Sequence, residues 1–164
     1  MGINPGKRLG ELLTAKGIIT PAQLEEALKI QRSTGEFLGR LLVQRGWLTE
    51  EQLLNALSEQ FGMPRVRLED VEIDWTVAQG YSPTLLLERT CFPFRQDATS
   101  VTVAIANPLD AWTLSAIEGQ ARGRKIRWVL AAPWEIAAAI HEIHQRAFRK
   151  VERFLEEGGN SHGE

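Results

Sequence analysis

Apolar residues recur at helical spacing along the first third of the chain, and the pattern occurs twice. Residues 8–31 read RLGELLTAKGIITPAQLEEALKIQ and residues 37–60 read FLGRLLVQRGWLTEEQLLNALSEQ. At an offset of 29, eleven of the 24 positions are identical, so the unit is an internal duplication. Each copy predicts a pair of helices. Leu9 to Lys16 forms a short helix that Gly17 ends, because glycine adopts the left-handed conformation without penalty. Thr20 then caps a second helix, with Pro21 at its first position and Gln23 completing a capping box, and Thr49 with Gln52 repeats the device. On the second helix Leu24, Leu28 and Gln31 follow one another at four and three residues and so share one face, as do Leu53, Leu57 and Gln60.

From residue 61 the pattern changes to short β-branched and apolar runs. Cys91–Gln96, Ser100–Ala106 and Lys125–Ala131 read as strands, with Asp97 to Thr99 turning the first two into a hairpin. Asn107 with Pro108 predicts a helix start running to about Gln120. Ser82 with Pro83 starts a shorter helix, and Pro133 opens a long one reaching about Glu156. The fold class is therefore α+β. A helical subdomain (1–60) carries the two repeats, a small α+β subdomain (61–148) has a short sheet with flanking helices, and residues 149–164 form a helix extension and mobile tail. In the last helix Ile136, Ile140, Ile143, Ala147, Val151 and Phe154 make a stripe that outlasts the domain. Beyond Phe148 it reads as a connector or partner surface.

Charge narrows the function classes. The 19 Lys+Arg against 21 Asp+Glu give a net charge of −2, which excludes a protein that coats DNA or RNA. The longest apolar run, Trp128 to Trp134, falls far short of the roughly 20 residues of a membrane-spanning helix. With a single cysteine, Cys91, and no signal-like start, the expected setting is cytoplasmic.

Several catalytic signatures fail on spacing. Pro5-Gly6-Lys7-Arg8 lacks the glycine spacing and the hydroxyl of a phosphate loop that binds ATP. His141 and His144 flank Glu142 but are three apart, where the zinc-protease motif requires four, and no third ligand is evident. Cys91 reads as a structural thiol, and Arg122, Arg124, Lys125 and Arg127 read most simply as a solvated turn and strand start, with a contribution to an anion or partner site as the alternative. No nucleophile-and-base set is present, so an enzyme is not expected.

The doubled pattern does more than describe a core. A polar glutamine closes both leucine stripes, and Leu-Gly opens both units, where a glycine admits a close approach and free helix-start amides favour an anion. Two pseudo-symmetric units suit a symmetric ligand with two phosphates and two bases. The pattern RLGxLLxxxGxIxxxQLxxALxxQ, doubled across the five-residue spacer Arg32 to Glu36, resembles the MshEN domain. This is the N-terminal domain of type II secretion and type IV pilus assembly ATPases of the MshE kind. Residues 61 to about 147 are similar to the second half of the same domain, with a weaker signal.

In that family the two motifs bind cyclic di-GMP, and the resemblance implies the site residues here. Arg8 would contact guanine or phosphate, and Leu9–Gly10 and Leu38–Gly39 would bring backbone close to the nucleotide. Leu24, Leu28, Leu53 and Leu57 would form an apolar platform, and Gln31 and Gln60 would hydrogen-bond guanine or ribose. Asp110, in an Asn-Pro-Leu-Asp stretch, would meet the N1 and N2 donors of guanine. One position departs from the pattern: Phe37 stands where the first motif has Arg8, and it either stacks on a base or belongs to the core. The resemblance implies a receptor domain that passes a second-messenger signal to a secretion or pilus ATPase, or to a glycosyltransferase. It takes cyclic di-GMP as ligand, with no metal or further cofactor and no catalysis. The alternative is a docking module of such an ATPase that no longer binds nucleotide.

Overall fold

The computed structural model describes residues 8–158. Pro5, Gly6 and Lys7 of the rejected phosphate loop, and the tail after Gly158, lie outside the described residues. The duplicated half folds as α1 (Leu9–Ala15), α2 (Pro21–Thr34), α3 (Leu38–Gln44) and α4 (Glu50–Phe61). Both capping boxes are formed: Thr20 Oγ1 accepts from Gln23 N–H at 3.2 Å while Gln23 Oε1 accepts from Thr20 N–H at 2.9 Å, and Thr49 and Gln52 do the same at 3.1 and 3.0 Å. Gly17 (φ 69°) and Gly46 (φ 71°) end the short helices in the left-handed region. Their amides bond Thr14 and Val43 carbonyls, and the next residue reaches back to Leu13 and Leu42, satisfying the last-turn carbonyls. The long helix α2 continues three residues beyond the repeat, to Thr34, before Gly35 caps it.

The two units interlock. Helix α1 packs on α4 and α2 on α3, so each unit's short helix leans on the other unit's long one. Equivalent residues supply the shared core: Leu12 and Leu41, Leu13 and Leu42, Ile19 and Leu48, Ala27 and Ala56 are all buried. Surface pairs cross the same seam, Lys16 to Glu59 and Arg45 to Glu26.

The second half comprises α5 (Trp75–Ala78), α6 (Pro83–Arg89), β1 (Cys91–Gln96), β2 (Ser100–Ile105), α7 (Ala111–Gln120), β3 (Lys125–Leu130) and α8 (Pro133–Gly158). Strand order is β1-β2-β3, with β1–β2 antiparallel and β2–β3 parallel across the α7 crossover. The hairpin is held by Asp97, whose Oδ1 accepts from Thr99 and Ser100 N–H at 2.8 and 2.7 Å. Two features escaped the sequence pattern: a 3-10 turn at Leu68–Asp70 and the single helical turn α5. Buried Glu135 ties the former to α8, its carboxylate accepting from Leu68 and Ala132 N–H, both at 3.0 Å. Pro64 O and Val66 N–H bond both backbone groups of Leu130, so the segment leaving α4 is stitched alongside β3.

One element start differs from expectation. Asn107 does not cap α7; its Oδ1 accepts from Leu109 N–H and closes a local turn containing Pro108. The cap is Asp110, which takes Thr113 N–H at 3.1 Å and Thr113 Oγ1–H at 2.8 Å. Asparagine has a nearer amide to bond, and the helix begins only where a carboxylate meets the buried Thr113. The stripe on α8 is buried at Ile136 and Ile140 and half-buried at Ile143. It then runs into solvent, with Phe154 75% exposed.

Candidate cyclic dinucleotide site

The Leu-Gly start of each unit has a definite packing role. A Cβ on Gly10 would lie 2.5 Å from Leu24 Cδ1, and one on Gly39 would lie 2.5 Å from Leu53 Cδ1. The close neighbour that excludes a side chain is thus the first platform leucine of the same unit, laid across the start of the short helix. Leu24 and Leu28 are half-buried and, with Glu11, Thr14, Ala15, Pro21 and Glu25, line a shallow groove of about 450 Å³. Its floor is apolar and its rim acidic.

The remaining motif residues divide by exposure. Arg8 is exposed at the start of α1, and Phe37, 42% exposed, holds the equivalent place at the start of α3. Phe37 is therefore not a core residue. Leu9 and Leu57 are buried, the latter 3% exposed, so both pack the core in this arrangement; Leu38 and Leu53 are half-buried. Gln31 Nε2 donates to Glu36 O at 3.0 Å, fixing its carboxamide at the end of α2. Among the described residues Gln60 Oε1 is buried with no hydrogen-bond donor, as is Glu36 Oε2. Gln60 ends the second repeat and Glu36 closes the spacer before it, and a buried acceptor without a donor is costly.

Asp110 is engaged elsewhere. Beyond capping α7 it lies 3.8 Å from Arg89, whose guanidinium stacks 4.0 Å from the ring centroid of Trp112. No hydrogen bond or ion pair joins it to a motif residue among the described residues. Arg89 and Trp112 carried no sequence signal, since a lone arginine and a lone exposed tryptophan match no spacing. Cys91 is fully buried, and burial first, then the nearby Asp110 charge, pushes its thiol up to about 12, as an inert structural thiol requires. On α8, Glu142 is committed to Arg146 at 2.8 Å and Arg149 at 3.4 Å, while His141 contacts Gln145.

A family model, the MshEN domain, matches residues 61–150. The chain belongs to the MshEN domain family. The matched stretch is the half whose sequence signal was weaker, and the duplicated motif precedes it. Among relatives, PilB of Thermus thermophilus, a type IV pilus assembly ATPase, is 36% identical over 114 residues, which are 68% of this chain and 13% of PilB. PilB of Myxococcus xanthus is 26% identical over 153 residues, 93% of this chain and 27% of that protein. The chain thus spans little more than a quarter of these relatives at most. The structure of MshE with cdg superposes with a TM-score of 0.76 at 28% identity, covering 84% of this chain and 99% of that one. The N-terminal domain of XpsE gives a TM-score of 0.66 at 21% identity, over 82% of this MshEN domain and 92% of that chain, a likeness of fold. Among the described residues no helix of this MshEN domain is long and apolar enough to cross a membrane.

Proposed function

We propose that this MshEN domain is a cyclic di-GMP receptor that signals to a secretion or pilus assembly partner and does not itself catalyse. The observation that carries the reading is the repeated lock of Gly10 under Leu24 and Gly39 under Leu53. It sets two half-buried leucines on pseudo-symmetric units, as a two-fold ligand requires. The likeness to MshE with cdg and to the PilB ATPases supports it. In this reading Arg8 meets phosphate or guanine, Leu24, Leu28 and Leu53 lie under the bases, and the unpaired Gln60 Oε1 takes a donor from the ligand. The ligand clamps the interlocked units, and binding one arrangement better than another is what shifts the population a partner detects.

Titration calorimetry with cyclic di-GMP tests this directly. A saturable heat that weakens about tenfold in Arg8→Ala and Gln31→Ala is expected, about 1.4 kcal/mol for each substitution. No heat at tens of micromolar ligand removes the receptor reading. Unchanged affinity in both variants moves the site elsewhere. Phe37 in place of an arginine favours a second reading, a docking module that has lost the nucleotide, and the absence of heat selects it.

A further inference from the structure

The sheet half holds a second cavity, polar and of about 260 Å³, to which none of the motif residues contributes. Its donors come from three separate stretches: the α5–α6 link, the end of α7 and the turn that follows it. Between α7 and β3 the chain passes through two successive left-handed residues, Arg122 (φ 53°) and Gly123 (φ 79°). For a non-glycine residue that conformation costs about 1–2 kcal/mol. The turn brings both Arg122 and Arg124 to the cavity. Arg124 Nε donates to Asp97 O at 3.2 Å, which aims the guanidinium and leaves its terminal amino groups over. Arg122 has no carboxylate partner among the described residues.

The neutral groups are oriented too. Gln120 Oε1 accepts from Ser82 N–H at 2.9 Å, so its amino group is what remains for the cavity. Tyr81 is 6% exposed and lines the same space, and among the described residues its hydroxyl has no hydrogen-bond partner. Burial raises its pKa against the opposing pull of the Arg124 charge, so the phenol keeps its proton at neutral pH. Two carbonyls near the end of α7 are already bonded, Glu118 O to Ala121 N–H and Ala121 O to Arg124 N–H. Asp74 is the one acid on the wall, and its Oδ1 is occupied by both donors of Thr76.

We propose that this cavity binds a phosphate group, carried by a small phosphomonoester or free as inorganic phosphate. Two guanidiniums against one carboxylate leave the wall net positive, which favours an anion. Four donor side chains exceed what the two oxygens of a carboxylate use, and match the three acceptor oxygens of a phosphate. The site shares no residue with the cyclic di-GMP reading and does not rest on it.

The experiment is calorimetric titration of the full chain with inorganic phosphate and, separately, with ribose 5-phosphate, at constant ionic strength. Saturable one-site binding is expected, weakened at least tenfold in Arg122→Gly and Arg124→Gln and several-fold in Tyr81→Phe, and unaltered in Lys125→Ala. Arg122→Gly relieves the backbone and Tyr81→Phe keeps the buried ring, so both are expected to fold, as an unchanged thermal midpoint will verify. Tighter binding of the ester assigns the site to a phosphomonoester, and tighter inorganic phosphate to the free ion. Absence of saturation, equal weakening by Lys125→Ala, or unchanged binding in both Arg122→Gly and Tyr81→Phe overturns the proposal.

Discussion

The two repeat units share backbone design and core, yet differ where they meet solvent. Both carry a capping box, a left-handed glycine after the short helix and a leucine laid over a helical glycine. Unit one opens with exposed Arg8, keeps Leu28 half-buried beside a groove and ties Gln31 to Glu36 O. Unit two opens with Phe37, buries Leu57 and leaves Gln60 Oε1 without a donor. The second unit is the one followed by the sheet half, through the stitch of Pro64 and Val66 to Leu130. Duplication therefore preserves what makes each unit fold, while the two copies differ in which leucines still face outward.

If the shared part is a true two-fold core, equivalent deletions must cost alike. Leu13 and Leu42 are both fully buried and sit at the same point of the interlock. Leu13→Ala and Leu42→Ala are each expected to lose about 2–5 kcal/mol, the range for a buried leucine left as a cavity. Urea denaturation of both variants measures it. A difference between them larger than half the smaller effect breaks the equivalence and makes one unit the stable scaffold.

The solvent-facing differences are sharpened through ligand binding. Phe37→Arg restores to unit two the cation that unit one has, without touching the core, since Phe37 is already exposed. On the receptor reading it is expected to strengthen cyclic di-GMP binding several-fold, less than about 1.4 kcal/mol, in the same calorimetry. Weaker binding than the unaltered chain instead assigns Phe37 to stacking on a base.

How much of this was legible in the sequence follows the range of the interactions. Caps, left-handed glycines, strands and the leucine faces are set by neighbours within a few residues, and the three strands match the sequence reading to within one residue at each end. The start of α7 was misplaced because Asn107 and Asp110 are both competent caps. Only the buried position of Thr113 decides between them. The role of Gly10 was half legible: close approach was evident, but that Leu24 makes it depends on how α2 folds back. The Arg89–Trp112 stack, the Glu135 tie to Leu68 and the polar cavity join residues far apart in the chain. No periodicity records such contacts.

The caps offer a finer test of equivalence. Thr20→Ala and Thr49→Ala each remove one side-chain acceptor from a capping box and are expected to lose about 1 kcal/mol apiece. Pro21 follows Thr20, whereas Glu50 and Glu51 follow Thr49, so unit two keeps an acidic first turn that favours the helix dipole after its cap is gone. The Thr20→Ala loss is therefore expected to be the larger, read as a lower urea midpoint. The reverse order would show that the proline holds the first turn of α2 without help.

The smallest expected difference is in acid. Glu51 accepts both terminal amino groups of Arg65, and that hydrogen bond holds its carboxyl below the usual glutamate range. The equivalent place in unit one is Ala22, which has no such group. A carboxylate lowered by folding stabilises the native state fully above its unfolded value, about 4.3, and the contribution is lost as pH falls from there toward the lowered folded value. Glu51 is solvent-exposed, so the effect is modest and screened by salt. Between pH 7 and pH 3, the urea midpoint of the unaltered protein is expected to fall more steeply than that of Glu51→Gln, and 1 M salt to narrow the gap. Parallel curves would mean that Arg65 stabilises unit two only through its backbone bridge to Leu130 and its bond to Asn55, leaving the two units alike in acid as well as in core.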